Sequence, residues 1–387
     1  MLRIARFFMV VTIALSTYTA SRWAYAQPSH AKAVVAYVFP QDSALKPGDI
    51  DAVSLTRINY AFANIDKGRM VAGFSHDPEN FAFLESLKKQ NPSVTVLVSV
   101  GGWLWSTNFS DISLTPQSRQ LFIQSVMDFL TQYHLDGLDV DWEYPGDPGA
   151  GHPFRSEDKH NFTLLLKELR SRFTAETAKT HRRLYLTIAA GASEDFLAHT
   201  EMADVQRYLD TVNLMAYDYY EPGSEAITGN HAPLFTNPAD PRRVSTDASV
   251  RAFEQAGVPA EKILLGMPFY GHVWGQVPNA NHGLFQPGKQ IPNAGAPYSA
   301  IVGTMLNHGF DRYWDSSASV PYLYNPGTQI FVSYDDPQSI AAKCNYVLKH
   351  NLGGVMFWSY SNDPSGTLLH AINNALHPKP AGGSSAK

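Results

Sequence analysis

Eight short apolar segments, separated by segments with helical spacing, set the fold that this chain can adopt. Apolar residues recur at helical spacing in residues 116–133, 157–173, 247–256 and 337–350. Strands that alternate with helices pair in parallel, and eight of them favour a closed barrel over an open sheet. We therefore predict an α/β fold, a (β/α)8 TIM barrel. Its strands are expected at residues 34–38, 58–65, 95–100, 135–141, 184–190, 211–216, 263–269 and 354–358.

The seventh predicted strand is followed by an interval of about sixty residues, too long for an ordinary loop between a strand and a helix. Residues 275–334 contain turn-rich sequence and then two alternating runs, 320–324 and 329–334. This pattern predicts a small α+β insertion within a catalytic barrel that extends over residues 27–376. Because it follows a barrel strand, we expect it on the active-site face, as one wall of a substrate groove.

Two terminal segments are expected to lie outside the barrel. Residues 1–26 have the form of a secretory signal peptide, with two arginines, an apolar run at residues 7–15 and an Ala-Tyr-Ala cleavage site. A membrane anchor is the alternative, but the apolar run is shorter than the roughly 20 residues that span a bilayer. The prediction is a secreted protein, extracellular or periplasmic, with a flexible tail at residues 377–387.

Charge and cysteine content exclude several classes of function. The formal net charge is −5, so no basic surplus is available to bind nucleic acid or an anionic membrane. Cys344 is the only cysteine, which excludes an intrachain disulfide and a cysteine-based metal site. Aromatic residues make up 12% of the chain, and their rings can pack in the core or stack on sugars. We expect a monomer without cofactor or metal.

Three acidic residues alternate with apolar residues on the fourth predicted strand. Asp139, Asp141 and Glu143 share one face of the strand, whereas Leu138 and Val140 point the other way. In a barrel the shared face is the interior, where ionising three carboxyl groups together is costly. Neighbours on that face are roughly 6–7 Å apart along the strand, so their titrations can couple. Coupled acids at the carboxyl end of a barrel strand suit acid–base chemistry on a glycosidic bond.

Two other interpretations of these acids remain open. They can lie on a strand edge that faces solvent, although the strict alternation with leucine and valine disfavours this. They can also supply oxygen ligands to Mg²⁺ or Ca²⁺. No histidine pattern supports a transition metal, and the 14 histidines form no metal-like cluster in the sequence.

Several motifs at the ends of predicted strands resemble those of the family 18 glycoside hydrolases, the main chitinase family. The resemblance covers residues 34–376 and is very specific, because the motifs occur in the correct order. The matching segments are Ser99-Val100-Gly101-Gly102 with Trp103, Asp136-x-x-Asp139-x-Asp141-x-Glu143, Met215-Ala216-Tyr217-Asp218, Trp358, and Tyr334-Asp335-Asp336-Pro337 of a chitinase insertion domain.

The resemblance implies a retaining, substrate-assisted hydrolysis of β-1,4 linkages between N-acetylglucosamine units. Glu143 would protonate the leaving oxygen and later act as base, while the acetamido oxygen of the sugar attacks its own anomeric carbon. Asp141 would hydrogen-bond the acetamido N–H, Tyr217 would hold the acetamido oxygen, and Asp139 would share a proton with Asp141. Repulsion from the two neighbouring acids is expected to raise the pKa of Glu143.

Further site residues follow from the resemblance or from their positions at strand ends. Ser99 and Tyr37 would support Asp139 from behind. Simple packing is the alternative for the aromatic residues among the expected sugar contacts, and a cap or loop bond is the alternative for Asp218. The expected sugar contacts are Trp358, Trp103, Tyr37, Phe62, Met215, Asp218 and Tyr270. Trp142 is expected in the core, because it points away from the acids.

Two positions depart from the pattern of this family. Many relatives have an arginine after the Pro-x-Tyr-Gly of the seventh strand, whereas His272 follows Gly271 here. After the sixth strand many relatives have a tryptophan, and this chain has Tyr219, Tyr220 and Glu221 instead. These differences affect individual sugar contacts and leave the acid–base residues unchanged.

Two other functions remain open at this point. The first is a chitin-binding lectin without turnover, although such relatives typically lack the catalytic glutamate or one of the aspartates. The second is hydrolysis of peptidoglycan or of the chitobiose core of N-glycans, which the insertion and the absence of cell-wall-binding repeats disfavour. The expected partners are therefore chitin and N-acetylglucosamine oligosaccharides.

Overall fold

A closed barrel of eight parallel strands organises the chain, which a computed structural model describes over residues 32–292 and 294–377. The first strand pairs with both the second and the eighth, which closes the barrel. The predicted (β/α)8 fold is therefore confirmed. The barrel strands are Ala33–Val38, Arg57–Asp66, Thr95–Gly101, Gly137–Asp141, Tyr185–Gly191, Thr211–Met215, Ile263–Pro268 and Gly354–Trp358.

Some of the predicted segments lie outside the described residues. These are the whole signal segment, residues 1–26, and all of the predicted tail except His377. Within residues 32–292 and 294–377, no helix combines the length and the apolar character that crossing a membrane requires.

Alternation along the strands sorts their apolar side chains into two clusters. The larger cluster packs the outer face of the barrel against the helices and includes Leu138 and Val140. The smaller one fills the barrel interior and consists of Val35, Tyr37, Ala61, Phe62, Leu264 and Met356. Because both faces of each strand are buried, the strands appear in the sequence as nearly continuous apolar runs.

Helices cover the outside of the barrel. The helix Pro116–Gln132 begins with a proline after Thr115, whose side chain accepts a hydrogen bond from the N–H of Ser118. Between the first two strands the described chain forms a short 3-10 turn, Ala52–Ser54, in place of a helix. The other α-helices are Asp77–Ser86, Phe109–Leu114, Asp158–Thr180, Glu194–Ala198, Met202–Val205, Thr246–Gln255, Tyr298–Ala300, Pro337–Lys349 and Thr367–Leu376.

An antiparallel sheet follows the seventh barrel strand. Its first strand, Tyr270–Gly275, is separated from that barrel strand by Phe269 alone, so the sheet begins before the expected boundary at residue 275. The apolar run of the barrel strand continues into the sheet, which hides the boundary in the sequence. The remaining strands are Lys289–Gln290, Ala296–Pro297, Asp311–Asp315, Val320–Asn325 and Ile330–Ser333. A short strand, Arg69–Val71, extends the second barrel strand as a hairpin.

A buried ion pair joins Asp335, just after the strand Ile330–Ser333, to the helix Pro337–Lys349. The ammonium group of Lys343 bonds Asp335 Oδ2, and neither side chain is exposed to solvent. The Ser339 hydroxyl donates to the other oxygen, Asp335 Oδ1, at 2.6 Å. Because both charges are fully buried, removing one of them would leave the other without solvation or a counter-charge, which is strongly destabilising.

We predict that Lys343→Met lowers the free energy of unfolding by about 3–5 kcal/mol, because it leaves the carboxylate of Asp335 buried without a counter-charge. Urea denaturation of both proteins measures the difference. The double variant Asp335→Asn/Lys343→Met should recover much of the loss. Lys349→Met, at an exposed position of the same helix, is the control. Equal free energies of unfolding for Lys343→Met and Lys349→Met would contradict the prediction.

Candidate active site

The carboxyl ends of the barrel strands surround a cleft of about 1130 Å³. All of the predicted site residues except Asp139 and Ser99 border it, and these two lie fully buried beneath it. The residues that border the cleft are Tyr37, Phe62, Trp103, Asp141, Glu143, Met215, Tyr217, Asp218, Tyr270 and Trp358.

The end of the fourth strand and the two residues after it divide their side chains between the two faces as predicted. Asp141 and Glu143 border the cleft, whereas Trp142 is buried on the helix side. The ring of Trp142 stacks on Phe109, with centroids 5.2 Å apart, and meets Phe162 edge-on at 5.6 Å. The predicted core position of Trp142 is therefore confirmed.

Four neutral groups donate hydrogen bonds to the carboxyl group of Asp139. The hydroxyls of Tyr37 and Ser99 each reach Oδ2 at 2.8 Å. The Thr187 hydroxyl reaches Oδ1 at 2.5 Å, and the Asn213 amide reaches it at 3.0 Å. Burial raises the pKa of Asp139, while the donated hydrogen bonds favour its ionised form. These contacts also hold the carboxyl group in one orientation.

Asp141 borders the cleft, and its carboxyl group accepts fewer hydrogen bonds from the described residues than that of Asp139. Its Oδ1 is buried and has no hydrogen-bond partner among the described residues. Burial, and then the charges of Glu143 and Asp139, raise the pKa of Asp141 well above its ordinary value. No hydrogen bond joins Asp139 to Asp141 in the described chain, so their shared proton stays a prediction.

Burial raises the pKa of Glu143 to about 7. A hydrogen bond with Tyr144 opposes the shift, and the charges of Asp218 and Glu221 add to it. The expected repulsion between neighbouring acids acts on Asp141, whose pKa the charges of Glu143 and Asp139 raise. For Glu143 itself burial is the first cause, and the two added carboxylates belong to the segment after the sixth strand.

Ser106 fixes the backbone around Glu143, and no motif in the sequence marked it. Its hydroxyl oxygen accepts a hydrogen bond from the backbone N–H of Glu143 at 2.9 Å. The hydroxyl in turn lies 2.9 Å from the carbonyl of Gly102 and 3.2 Å from that of Asp141. Thr187 and Asn213 were missed for the same reason, since they reach Asp139 from the fifth and sixth strands, far away in the sequence.

A group of packed aromatic rings lines part of the cleft. The Trp358 ring stacks on Phe62, with centroids 5.5 Å apart and planes inclined by 22°. Tyr37 and Phe39 approach the same indole at 5.8 and 5.5 Å. Trp103 lies at the rim with 49% of its surface exposed. The cleft therefore offers flat apolar surfaces beside the acids, which suits sugar rings.

Asp218 lies against a tyrosine and two histidines. The Tyr270 hydroxyl donates to its two oxygens at 2.7 and 2.8 Å, and His272 Nε2 lies 2.8 Å from Oδ1. His231 Nδ1 is 3.5 Å from the same oxygen. Although partial burial opposes the shift, the two imidazoles hold the pKa of Asp218 well below its ordinary value. The histidines thus form a cluster in the fold that their spacing in the sequence did not predict.

Comparisons with known proteins agree on one family. Residues 33–363 match the family model described as glycosyl hydrolases family 18. Chitinase A1 of Niallia circulans is 34% identical over 98% of this chain, which spans 63% of the length of that relative.

Two solved structures extend this likeness to the fold. The family 18 N-acetylglucosaminidase from Paenibacillus barengoltzii has a TM-score of 0.82 and 41% identity, covering 89% of this chain and 99% of that one. A class V chitinase from Nicotiana tobaccum, solved in complex with NAG4, has a TM-score of 0.81 and 29% identity, covering 89% and 99%.

We predict that Glu143 titrates near pH 7 and that Asp218→Asn lowers its pKa, because a carboxylate that repels ionised Glu143 is lost. Infrared difference spectroscopy against pH follows the carboxyl band, which Glu143→Gln identifies. The control is Asp128→Asn, at an exposed position of an outer helix. An ordinary glutamate pKa in the native protein, or equal shifts in both variants, would contradict this prediction.

Proposed function

Because this chain belongs to glycosyl hydrolases family 18, it is a glycoside hydrolase, and we propose that it is a chitinase. Its substrates are then chitin and chitooligosaccharides, cleaved at β-1,4 linkages between N-acetylglucosamine units with retention of configuration. The observation that carries the proposal is the pair of buried acids, Asp141 and Glu143, beside the aromatic surface at Trp358. A catalytic acid, a group that orients the acetamido and a stacking platform thereby share one cleft.

Glu143 is the proposed acid–base residue. With a pKa of about 7 it carries a proton at neutral and mildly acidic pH and can donate it to the leaving glycosidic oxygen. The same value lets the resulting carboxylate take a proton from water in the second step. Ser106 supports both steps, because its bond to the Glu143 N–H fixes the backbone from which the carboxyl group extends.

The nucleophile in the proposed mechanism is the acetamido oxygen of the substrate, as in other family 18 enzymes. The surroundings of the two aspartates support this assignment. The oxygens of Asp139 are held by four donors beneath the cleft. Burial raises the pKa of Asp141, which favours its protonated form, and a protonated carboxyl group is a poor nucleophile. Neither aspartate is therefore suited to attack the anomeric carbon.

Asp141 and Tyr217 are the proposed partners of the acetamido group. Asp141 Oδ1 is buried without a hydrogen-bond partner among the described residues, and an acetamido N–H would supply one. Tyr217 borders the same cleft, and burial raises the pKa of its hydroxyl well above the ordinary value. The hydroxyl thus stays protonated as a donor to the acetamido oxygen. Together the two residues would hold this oxygen under the anomeric carbon.

A second candidate is the stepwise release of single N-acetylglucosamine units. It is favoured by the 41% identity to the Paenibacillus barengoltzii protein, whose name states N-acetylglucosaminidase activity. Both candidates use the same acids and differ in the length of the product.

The proposal also includes export of the protein, for which residues 1–26 would be the signal segment.

We predict that Glu143→Gln lowers the turnover of N-acetylglucosamine hexamer by roughly a thousandfold, because general acid catalysis is lost. Calorimetry should still detect binding of the hexamer, since an amide of the same shape replaces the carboxyl group. Chromatography that resolves both the length and the anomer of each product measures turnover.

The control variant is Glu254→Gln, which lies exposed on an outer helix. A β-anomeric disaccharide as the first product supports the chitinase, whereas a monosaccharide favours the second candidate. Turnover by Glu143→Gln near the native rate would contradict the assignment of the acid. An intact hexamer that the native protein nevertheless binds would point to a lectin.

A further inference from the structure

Three potential metal ligands converge on the wall of the catalytic cleft. Asp218, His231 and His272 each offer one ligand atom, and these atoms lie within 4.8 Å of one another. Asp218 follows the sixth barrel strand, His231 belongs to the loop beyond it, and His272 lies in the first strand of the inserted sheet. The group therefore exists only in the folded chain.

The backbone around both histidines is fixed by one residue of the inserted sheet. His272 is the antiparallel partner of Ser333 in the sheet. The backbone N–H of His231 donates to the hydroxyl of the same Ser333 at 2.9 Å. The backbone of His231 is thus attached to the strand that pairs with the strand of His272. The fold therefore holds the two histidines in fixed positions.

His231 is the residue that indicates a missing ligand. Its side chain is fully buried, and neither ring nitrogen has a hydrogen-bond partner among the described residues. The 3.5 Å from Nδ1 to Asp218 Oδ1 exceeds the usual hydrogen-bond length. Leaving a buried polar group unpaired is unfavourable, and a bound ion would offset that cost. Burial also lowers the pKa of His231, so the ring is in the neutral form that binds metals.

The donor set selects the class of ion. Two imidazole nitrogens and one carboxylate oxygen suit Zn²⁺ or Cu²⁺, whereas Mg²⁺ and Ca²⁺ require mainly oxygen ligands. Around tetrahedral Zn²⁺, ligand atoms lie roughly 3.3 Å apart. The separations from Asp218 Oδ1 are 2.8 Å to His272 and 3.5 Å to His231, close to this value.

Two neighbouring residues complete the surroundings of the group. Tyr270 donates to both oxygens of Asp218 and so orients the carboxylate. Glu221 lies 4.0 Å from His272 Nε2 on the cleft side and can supply a fourth ligand. This side of the group borders the cleft, through which an ion can enter.

We propose that Asp218, His231 and His272 bind a single divalent transition metal ion, Zn²⁺ or Cu²⁺, and that the bound ion inhibits the enzyme. The ion would occupy the wall of the cleft that Asp218 and His272 form and would narrow the cleft at Glu221, beside the acid. Inhibition rests on the proposed function, whereas binding of the ion does not.

The binding test uses the purified protein after removal of metals with a chelator. Calorimetry with Zn²⁺ and paramagnetic resonance with Cu²⁺ should give one ion per chain and coupling to two imidazole nitrogens. His231→Asn should weaken binding at least about tenfold, because it removes one ligand. His272→Arg is a second variant: it places a fixed cation beside Asp218 in place of the ligand, and it should weaken binding to a similar degree. Circular dichroism verifies that each variant is folded.

The control variant is His370→Asn, at an exposed position of the last helix. Unchanged affinity in both folded site variants, equal weakening in the control, or coupling to fewer than two nitrogens would overturn the proposed site. For inhibition, Zn²⁺ should remove most of the native turnover and leave His272→Arg near its own metal-free rate. Equal inhibition of the two proteins would overturn that part, while a protein that binds metal and cleaves no substrate would contradict the proposed function instead.

Discussion

The burial of three carboxyl groups, two on one barrel strand and one just beyond its end, is the constraint on which the rest of this structure depends. Asp139 meets it through donors that belong to four other strands, the first, third, fifth and sixth. Burial raises the pKa of Asp141 and of Glu143, which favours their protonated forms. Ser99 and Thr187 are the partners of Asp139 on the two flanking strands, whereas curvature of the sheet into a barrel brings Tyr37 of the first strand to the same carboxyl group.

The segment after the sixth strand also affects the pKa of Glu143. Asp218 and Glu221 add negative charge near Glu143, and two imidazoles stabilise the charge of Asp218 in turn. An arginine at position 272, which the family pattern leads us to expect, would provide a permanent cation there. With His272, the charge beside the acid depends on what the imidazoles bind.

The sequence predicted the barrel well and the surroundings of its acids poorly. The eighth strand has the predicted bounds, Gly354–Trp358, and the acids alternate as expected, because period-2 burial leaves a clear pattern along the chain. Thr187, Asn213 and Ser106 were missed, since a buried polar residue on a distant strand has no local signature. The pairing of His231 with His272 was missed because it depends on the position of the inserted sheet.

In the proposed mechanism the substrate supplies the nucleophile while Glu143 supplies the proton. The most direct measurement compares turnover of aryl chitobiosides whose reactive sugar carries an acetamido, a fluoroacetamido or a trifluoroacetamido group. Because fluorine withdraws electrons from the carbonyl oxygen, we expect the rate of glycosidic cleavage to fall steeply along the series. Equal rates for all three substrates would contradict it and would point to a nucleophile on the protein.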